Sequence, residues 1–343
     1  MPFGLTNAPA TFQRAMDTIL AGLKWNVCLV YLDDIIVFSK SFEEHLTHLQ
    51  TVFDALNQHH LRLKLEKCNF FMTELKYLGY VVNQSGIKVD NDKIQAIAEY
   101  PIPKSITDTR SFLGLASYYR CFVPEFAKIA VPLHNLTSLK QPFKWTDMCQ
   151  KSFDELKSKL SSAPLLIYPD FTQTFHLTTD ASYNGLSAIL SQIKDKKEHP
   201  ICFASRTLRQ NEKNYSVTEL ECLALVWGIK VYRPYLLGVN FHVYTDHQAL
   251  TWMHQFRSIN HRVTGWALGL SEYNFTITHK PGKSISHVDA LSRHPILDTG
   301  IDSVTKQLPN NLMSSLIEYH KNFLSQLVFY NKNEVENQLR GKN

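Results

Sequence analysis

No two cysteines in this 343-residue sequence stand as a CxxC pair; Cys28, Cys68, Cys121, Cys149, Cys202 and Cys222 are scattered. That spacing gives neither a zinc site nor a disulfide framework, and reduced intracellular thiols are the expectation. Long hydrophobic runs are also missing. No stretch approaches the roughly 20 apolar residues of a membrane span, and the opening MPFGLTNAPA has neither the basic region nor the apolar core of a secretion signal. A soluble protein of the cytoplasm or nucleus is expected. Charge of one sign does not dominate: a net charge of +5 suits a polyanionic partner but suits many other enzymes equally. Repeats and low-complexity tracts are absent as well. What the sequence does have is apolar material, 44% of its residues, enough to bury a core shared among two or three domains.

Phe12, Met16, Ile19, Leu20 and Leu23 recur at helical spacing, which predicts a helix over 8–23 with Pro9 in its first turn. Two β-rich runs, 27–32 and 35–38, flank Asp33-Asp34 and read as a tight hairpin with the acids at its tip. Ser41, with Glu44 three residues on, opens a helix over 41–60. Short strands then run to about Val89. Pro101 and Pro103 break the chain after a helix over 92–100, and a helix-rich stretch through SFLGLASYYRCF to Leu139 reads as a separate small lobe. Another helix is expected over 146–160. From Leu165 the pattern turns to strands, FHLTTD, GLSAILSQ and PICFASR, then a helix over 217–232, the strand FHVYTD, a helix around 262–270, the strand NFTITH and a last helix. That order predicts a mixed sheet with helices packed on it. Beyond His294 only an amphipathic stretch over 313–329 interrupts what reads as a linker.

Phosphodiester chemistry uses two divalent cations held roughly 3.5 to 4 Å apart, and hard cations select carboxylates. Asp180 ends the strand FHLTTD and Asp246 ends FHVYTD, so both strands deliver an acid at their carboxyl ends, where α/β sheets usually bind ligands. Glu221 stands one position off the helix stripe Leu220, Ala224, Trp227 and Val231, within reach of the sheet edge. Asp289 opens or lies within the last helix. Each of these acids alone reads more simply as a cap or a solvated charge. The set together favours a metal site.

TDAS (Asp180), TELECLAL (Glu221), TDHQAL (Asp246) and SHVDALSR (Asp289) resemble, in that order, the Asp-Glu-Asp-Asp RNase H of Gypsy-type LTR retrotransposons. The resemblance implies hydrolysis of the RNA strand of RNA/DNA hybrids with Mg²⁺ or Mn²⁺, two ions per site. It places the catalytic role within TELE on Glu221, leaving Glu219 as a solvated charge, and it offers His279 and His287 as loop histidines without deciding between them. MPFGLTNAPATFQRAMD resembles the nucleotide- and template-contacting loop and helix of the same elements' reverse transcriptase, and implies contacts by Phe3, Gly4 and Gln13. VYLDDIIVFS is similar to that enzyme's YxDD hairpin, with Tyr31 at the nucleic acid and Asp33 and Asp34 as metal-binding acids. KYLGYVV is similar to the primer grip, with Leu78, Gly79 and Tyr80 as contacts. RSFLGLASYYRCFVPEFAKIAVPLHNL resembles the thumb; Phe112, Leu113, Leu115, Tyr118 and Tyr119 read as core, and Arg110, Arg120 and Lys128 as phosphate contacts by charge alone.

The fold class that follows is α/β (α+β): the C-terminal part of a reverse-transcriptase palm over 1–90, a helical thumb with connecting helices over 91–164, an RNase H-like domain with a mixed five-stranded sheet over 165–293, and a linker over 294–343. Implied partners are an RNA/DNA hybrid and a primer-template duplex, with deoxynucleotides for the full-length enzyme. The family's first polymerase aspartate belongs upstream of the MPFG loop, so primer extension is not expected of these residues alone. Nor is zinc expected beyond His294, where His320 is distant and no cysteine occurs. The competing reading, from another class, is a non-catalytic nucleic-acid-binding remnant or a host-adopted piece of a retroelement; the four RNase H acids argue against it.

Overall fold

The computed structural model describes residues 5–39, 41–138, 142–250 and 261–280. Asp289, His287, Phe3, Gly4 and the segment beyond His294 lie outside them. The chain divides between Ile87 and Lys88 into two compact units.

In the first unit, α1 (Ala8–Ile19) carries Pro9 in its first turn and ends sooner than the apolar spacing predicted, at Leu20, with Gly22 following at φ 83. The strands β1 (Cys28–Tyr31) and β2 (Asp34–Val37) pair antiparallel, Tyr31 opposite Asp34. The two-residue turn is therefore Leu32-Asp33 rather than Asp33-Asp34, and Leu32 adopts the left-handed φ of 51 that such a turn demands. The helix α2 (Phe42–Gln58) starts as expected: the Ser41 hydroxyl accepts the Glu44 N–H at 3.2 Å. Met16, Leu20, Cys28, Val30, Val52 and Leu56 form the core that joins α1, the hairpin and α2. Next come β3 (Glu74–Tyr77), β4 (Tyr80–Asn83) and β5 (Gly86–Val89), a sheet in that order, with β5 carrying the chain across the division. Leu78 and Gly79 turn between β3 and β4 with φ of 49 and 76, the paired positive values of a tight hairpin.

The second unit opens with helices α3 (Asn91–Ala98), α4 (Ile106–Tyr118), α5 (Phe126–Leu136) and α6 (Asp147–Ser161). Asp90, Ser105 and Thr146 cap α3, α4 and α6 through side-chain oxygens. Phe112, Leu113 and Tyr119 are buried, as the sequence suggested. These helices share one compact unit with the sheet that follows, and α5 packs on its edge strand.

That sheet is built from β6 (Phe175–Ser182), β7 (Gly185–Lys194), β8 (Lys197–Thr207), β9 (Asn240–Thr245) and β10 (Asn274–His279) in the order β10-β9-β6-β7-β8. β6, β7 and β8 are antiparallel; β9 lies parallel to both β6 and β10. Between them run α7 (Val217–Val231), the short α8 (Arg233–Leu236) and α9 (His261–Gly269). The stripe expected on α7 understates its burial: Cys222, Leu225 and Ile229 are fully enclosed too. Its close approach to the sheet is made at Gly228, where a Cβ would meet Ala188 at 3.1 Å and Thr179 at 3.2 Å.

Candidate active site

Asp180 lies inside β6, not at its end, because pairing with β7 continues to Ser182 opposite Gly185. Glu221 is on the second turn of α7, and Asp246 follows directly after β9. The parallel pairing of β6 with β9 and the packing of α7 on β6 bring these acids together: each offers an oxygen, all within 4.8 Å of one another. Asp289 cannot be placed relative to them, since it is outside the described residues.

The acids differ sharply in surroundings. Asp246 is exposed, and its backbone carbonyl accepts the His279 Nε2–H at 3.0 Å, so the histidine that ends β10 touches the site's backbone. His247 is tied to α7 through Thr218 at 3.1 Å. Glu221 is buried, 5% exposed; its Oε1 accepts the Ala181 N–H at 3.2 Å, while its Oε2 is buried with no hydrogen-bond partner. Burial, then the neighbouring charges of Asp180 and Asp246, push the Glu221 carboxyl up to about 9. Asp180 is pushed up to about 6, again chiefly by burial, against the opposing pull of the Lys128 ammonium.

A buried carboxylate oxygen with nothing to satisfy it is costly in a finished core and ordinary in a cation site. The donor set here is oxygen only and carboxylate only, which fits hard divalent ions and not zinc in a thiolate or imidazole cage.

The other residues singled out in the sequence fare unevenly. Glu219 is not a solvated charge: it forms a capping box with Ser216 and an ion pair with Arg262 at 2.8 Å, and Arg262 lies over the Tyr215 ring at 4.1 Å. Arg110 donates to the Thr137 carbonyl at 2.9 Å, Arg120 to the Ser205 carbonyl, and Lys128 to Asp180 at 2.9 Å and to Glu125. Arg120 and Lys128 are largely buried and committed inside the unit, which counts against their use as phosphate contacts, whereas Arg110 is exposed. In the first unit, the Gln13 amide accepts the Leu32 N–H at 2.6 Å and donates to Val30 at 3.3 Å, so it grips the Asp33-Asp34 hairpin from behind. Tyr31 is half-buried opposite Asp34, Leu78 and Gly79 form the turn already described, and Tyr80 is buried. Sequence reasoning singled out Lys128 for its charge but missed its pairing with Asp180, because the two are 52 residues apart.

Residues 170–273 match the family described as an RNase H-like domain found in reverse transcriptase, and residues 1–82 match reverse transcriptase (RNA-dependent DNA polymerase). The chain is 42% identical over 332 residues to the retrovirus-related Pol polyprotein from transposon opus of Drosophila melanogaster, covering 93% of this chain and 33% of that protein. The Pol polyprotein from transposon gypsy of the same organism is 40% identical over 306 residues, covering 85% of this chain and 29% of that protein. The chain belongs to the Gypsy-type LTR retrotransposon Pol family. It spans about a third of the length of these curated relatives. A foamy viral protease-reverse transcriptase solved in complex with double-stranded DNA shares its fold at TM-score 0.69 and 23% identity, covering 81% of this chain and 50% of that chain. The same enzyme solved with an RNA/DNA hybrid aligns at TM-score 0.66 and 24% identity, covering 90% of this chain and 42% of that chain. This Pol chain thus joins a reverse-transcriptase segment to an RNase H-like domain, and both enzyme families depend in general on divalent metal.

Proposed function

We propose that the second unit hydrolyses the RNA strand of RNA/DNA hybrids at Asp180, Glu221 and Asp246, with Asp289 as a fourth acid and Mg²⁺ or Mn²⁺ as the ions. The observation that carries this reading is the enclosed, unpartnered oxygen of Glu221 beside two further carboxylates. When bound, a pair of such ions activates the attacking oxygen and stabilises the leaving one. The protein's part is to hold the acids. Ala181 N–H fixes one Glu221 oxygen and leaves the other, buried, without a hydrogen-bond partner, while the β6–β9 pairing fixes the spacing of Asp180 from Asp246. The nucleic-acid partner is supported by the foamy viral enzyme, which was solved with double-stranded DNA and with an RNA/DNA hybrid. In the longer polyprotein, Asp33 and Asp34 would serve DNA synthesis from deoxynucleotides on a primer-template duplex. Location in the cytoplasm, in a retroelement particle, or in the nucleus belongs to the same reading.

The test is cleavage of an RNA/DNA hybrid by the purified chain in Mg²⁺ or Mn²⁺. Asp180→Asn should lower it by more than the roughly 10- to 100-fold typical of outer partners of a metal site. Cleavage unchanged by that substitution would remove the assignment.

A further inference from the structure

Lys128 is the one cation that touches the acid cluster among the described contacts, and it comes from a helix outside the sheet. Its side chain is only 9% exposed, and that of Asp180 13%. On its other side it is paired with Glu125, itself 3% exposed, which stands at the N-cap of α5 in the left-handed conformation at φ 56. The Glu125 carboxylate makes no side-chain cap to the backbone of α5 and pairs with Lys128, three residues on in the same helix. The first turn of the helix is also pinned to edge strand β8, where Ala127 N–H donates to the Ser205 hydroxyl at 2.9 Å, and Arg120, ahead of the helix, donates to the Ser205 carbonyl. Glu125, Lys128 and Asp180 thus form a chain of alternating charge from α5 to β6.

A lysine ammonium and a divalent ion seek the same thing from a carboxylate oxygen. With the Lys128 ammonium already 2.9 Å from Asp180 Oδ2, a divalent ion drawn to the same carboxylate meets a like charge beside it. We propose that Lys128 is a built-in counter-ion of the acid site, occupying Asp180 while no divalent ion is bound and displaced when one binds, so that metal loading loosens the contact of α5 with β6. The inference rests on the active-site reading above.

The test uses the full chain and Mn²⁺ alone, read by the electron paramagnetic resonance of free Mn²⁺. Lys128→Met keeps the bulk of the buried stem and removes the charge. It should tighten Mn²⁺ binding about tenfold, while Asp180→Asn weakens it. A second measurement leaves the sequence intact: acylation of surface amines by an N-hydroxysuccinimide ester, followed by peptide mass spectrometry. Lys128 should be protected without divalent ion and labelled severalfold more once Mg²⁺ is added, with Lys157, which donates to the Tyr100 carbonyl in the same unit, unchanged. If Mn²⁺ binding is sensitive to Asp180→Asn but unaffected or weakened by Lys128→Met, or Lys128 stays protected in Mg²⁺, the counter-ion inference falls and the active-site reading stands. If Mn²⁺ binding ignores Asp180→Asn, the active-site reading falls and takes this inference with it.

Discussion

Glu221 concentrates the cost of the site in one side chain. Its carboxyl is enclosed, holds one hydrogen bond, and faces two like charges, so in the absence of a cation it is forced toward the protonated form. The folded value near 9 lies above the ordinary 4.5, so the folded chain holds this proton more tightly than the unfolded chain. Stability from Glu221 is therefore full below about 4.5 and is lost as pH rises through 9. In chelator, the melting temperature should fall across that window, and Glu221→Gln should flatten the fall while abolishing hybrid cleavage; an unchanged slope in the variant would contradict the burial argument. The acids themselves were legible as motifs, because metal chemistry restricts residue type. Their inequality was not. Whether a carboxylate is buried, capped like Glu219 or salt-bridged like Asp180 depends on neighbours distant in sequence, and Lys128 is 52 residues from its partner.

At the scale of elements, the tight places are where glycine faces backbone. A Cβ on Gly185 would stand 2.5 Å from the Arg206 carbonyl oxygen, a contact that neither strand can relieve without breaking the β7–β8 register. Gly185→Ala should cost about 2–4 kcal/mol in denaturant unfolding. Gly228→Ala should cost less, because the atoms it meets are side-chain carbons at 3.1 and 3.2 Å and alanine favours the helix by about 1 kcal/mol. Equal losses would contradict the close-packing account of α7 on the sheet. His134, in the last turn of α5, is pushed down to about 4 by burial and then by the Arg120 charge. It stays neutral in the folded chain while the unfolded chain takes up a proton near 6.5, so stability should fall as pH drops from 6.5 to 4. His134→Gln should lessen that acid sensitivity, seen as a smaller drop in melting temperature. Helix starts such as Ser41 and Thr146 were readable from capping chemistry, and strand alternation located every strand of the five-stranded sheet. Ends were less readable: α1 stops at Ile19 and β6 runs past Asp180, since pairing partners and turns set those limits, not apolar spacing.

For the whole molecule, the order of elements predicted the mixed sheet, because strands first and then alternating helices and strands leave few ways to cover both faces. What periodicity could not reveal is that the helices preceding the sheet share its compact unit; an amphipathic helix records that it packs, not on what. With the acids in one place and a modest positive charge, duplex binding should weaken steeply with salt, and should do so equally in Asp180→Asn, because phosphate contacts and not the catalytic acids supply most of that affinity. A salt slope altered by that substitution would mean the acid site carries the binding. The Asp180, Glu221 and Asp246 cluster is proposed to be a working nuclease centre. Its most direct test is single-turnover cleavage of a labelled RNA/DNA hybrid by the wild-type chain and by Glu221→Gln at equal bound fraction, in Mg²⁺. Cleavage of the RNA strand only is expected, lost in the variant while hybrid binding persists. Cleavage by Glu221→Gln at the wild-type rate would contradict it.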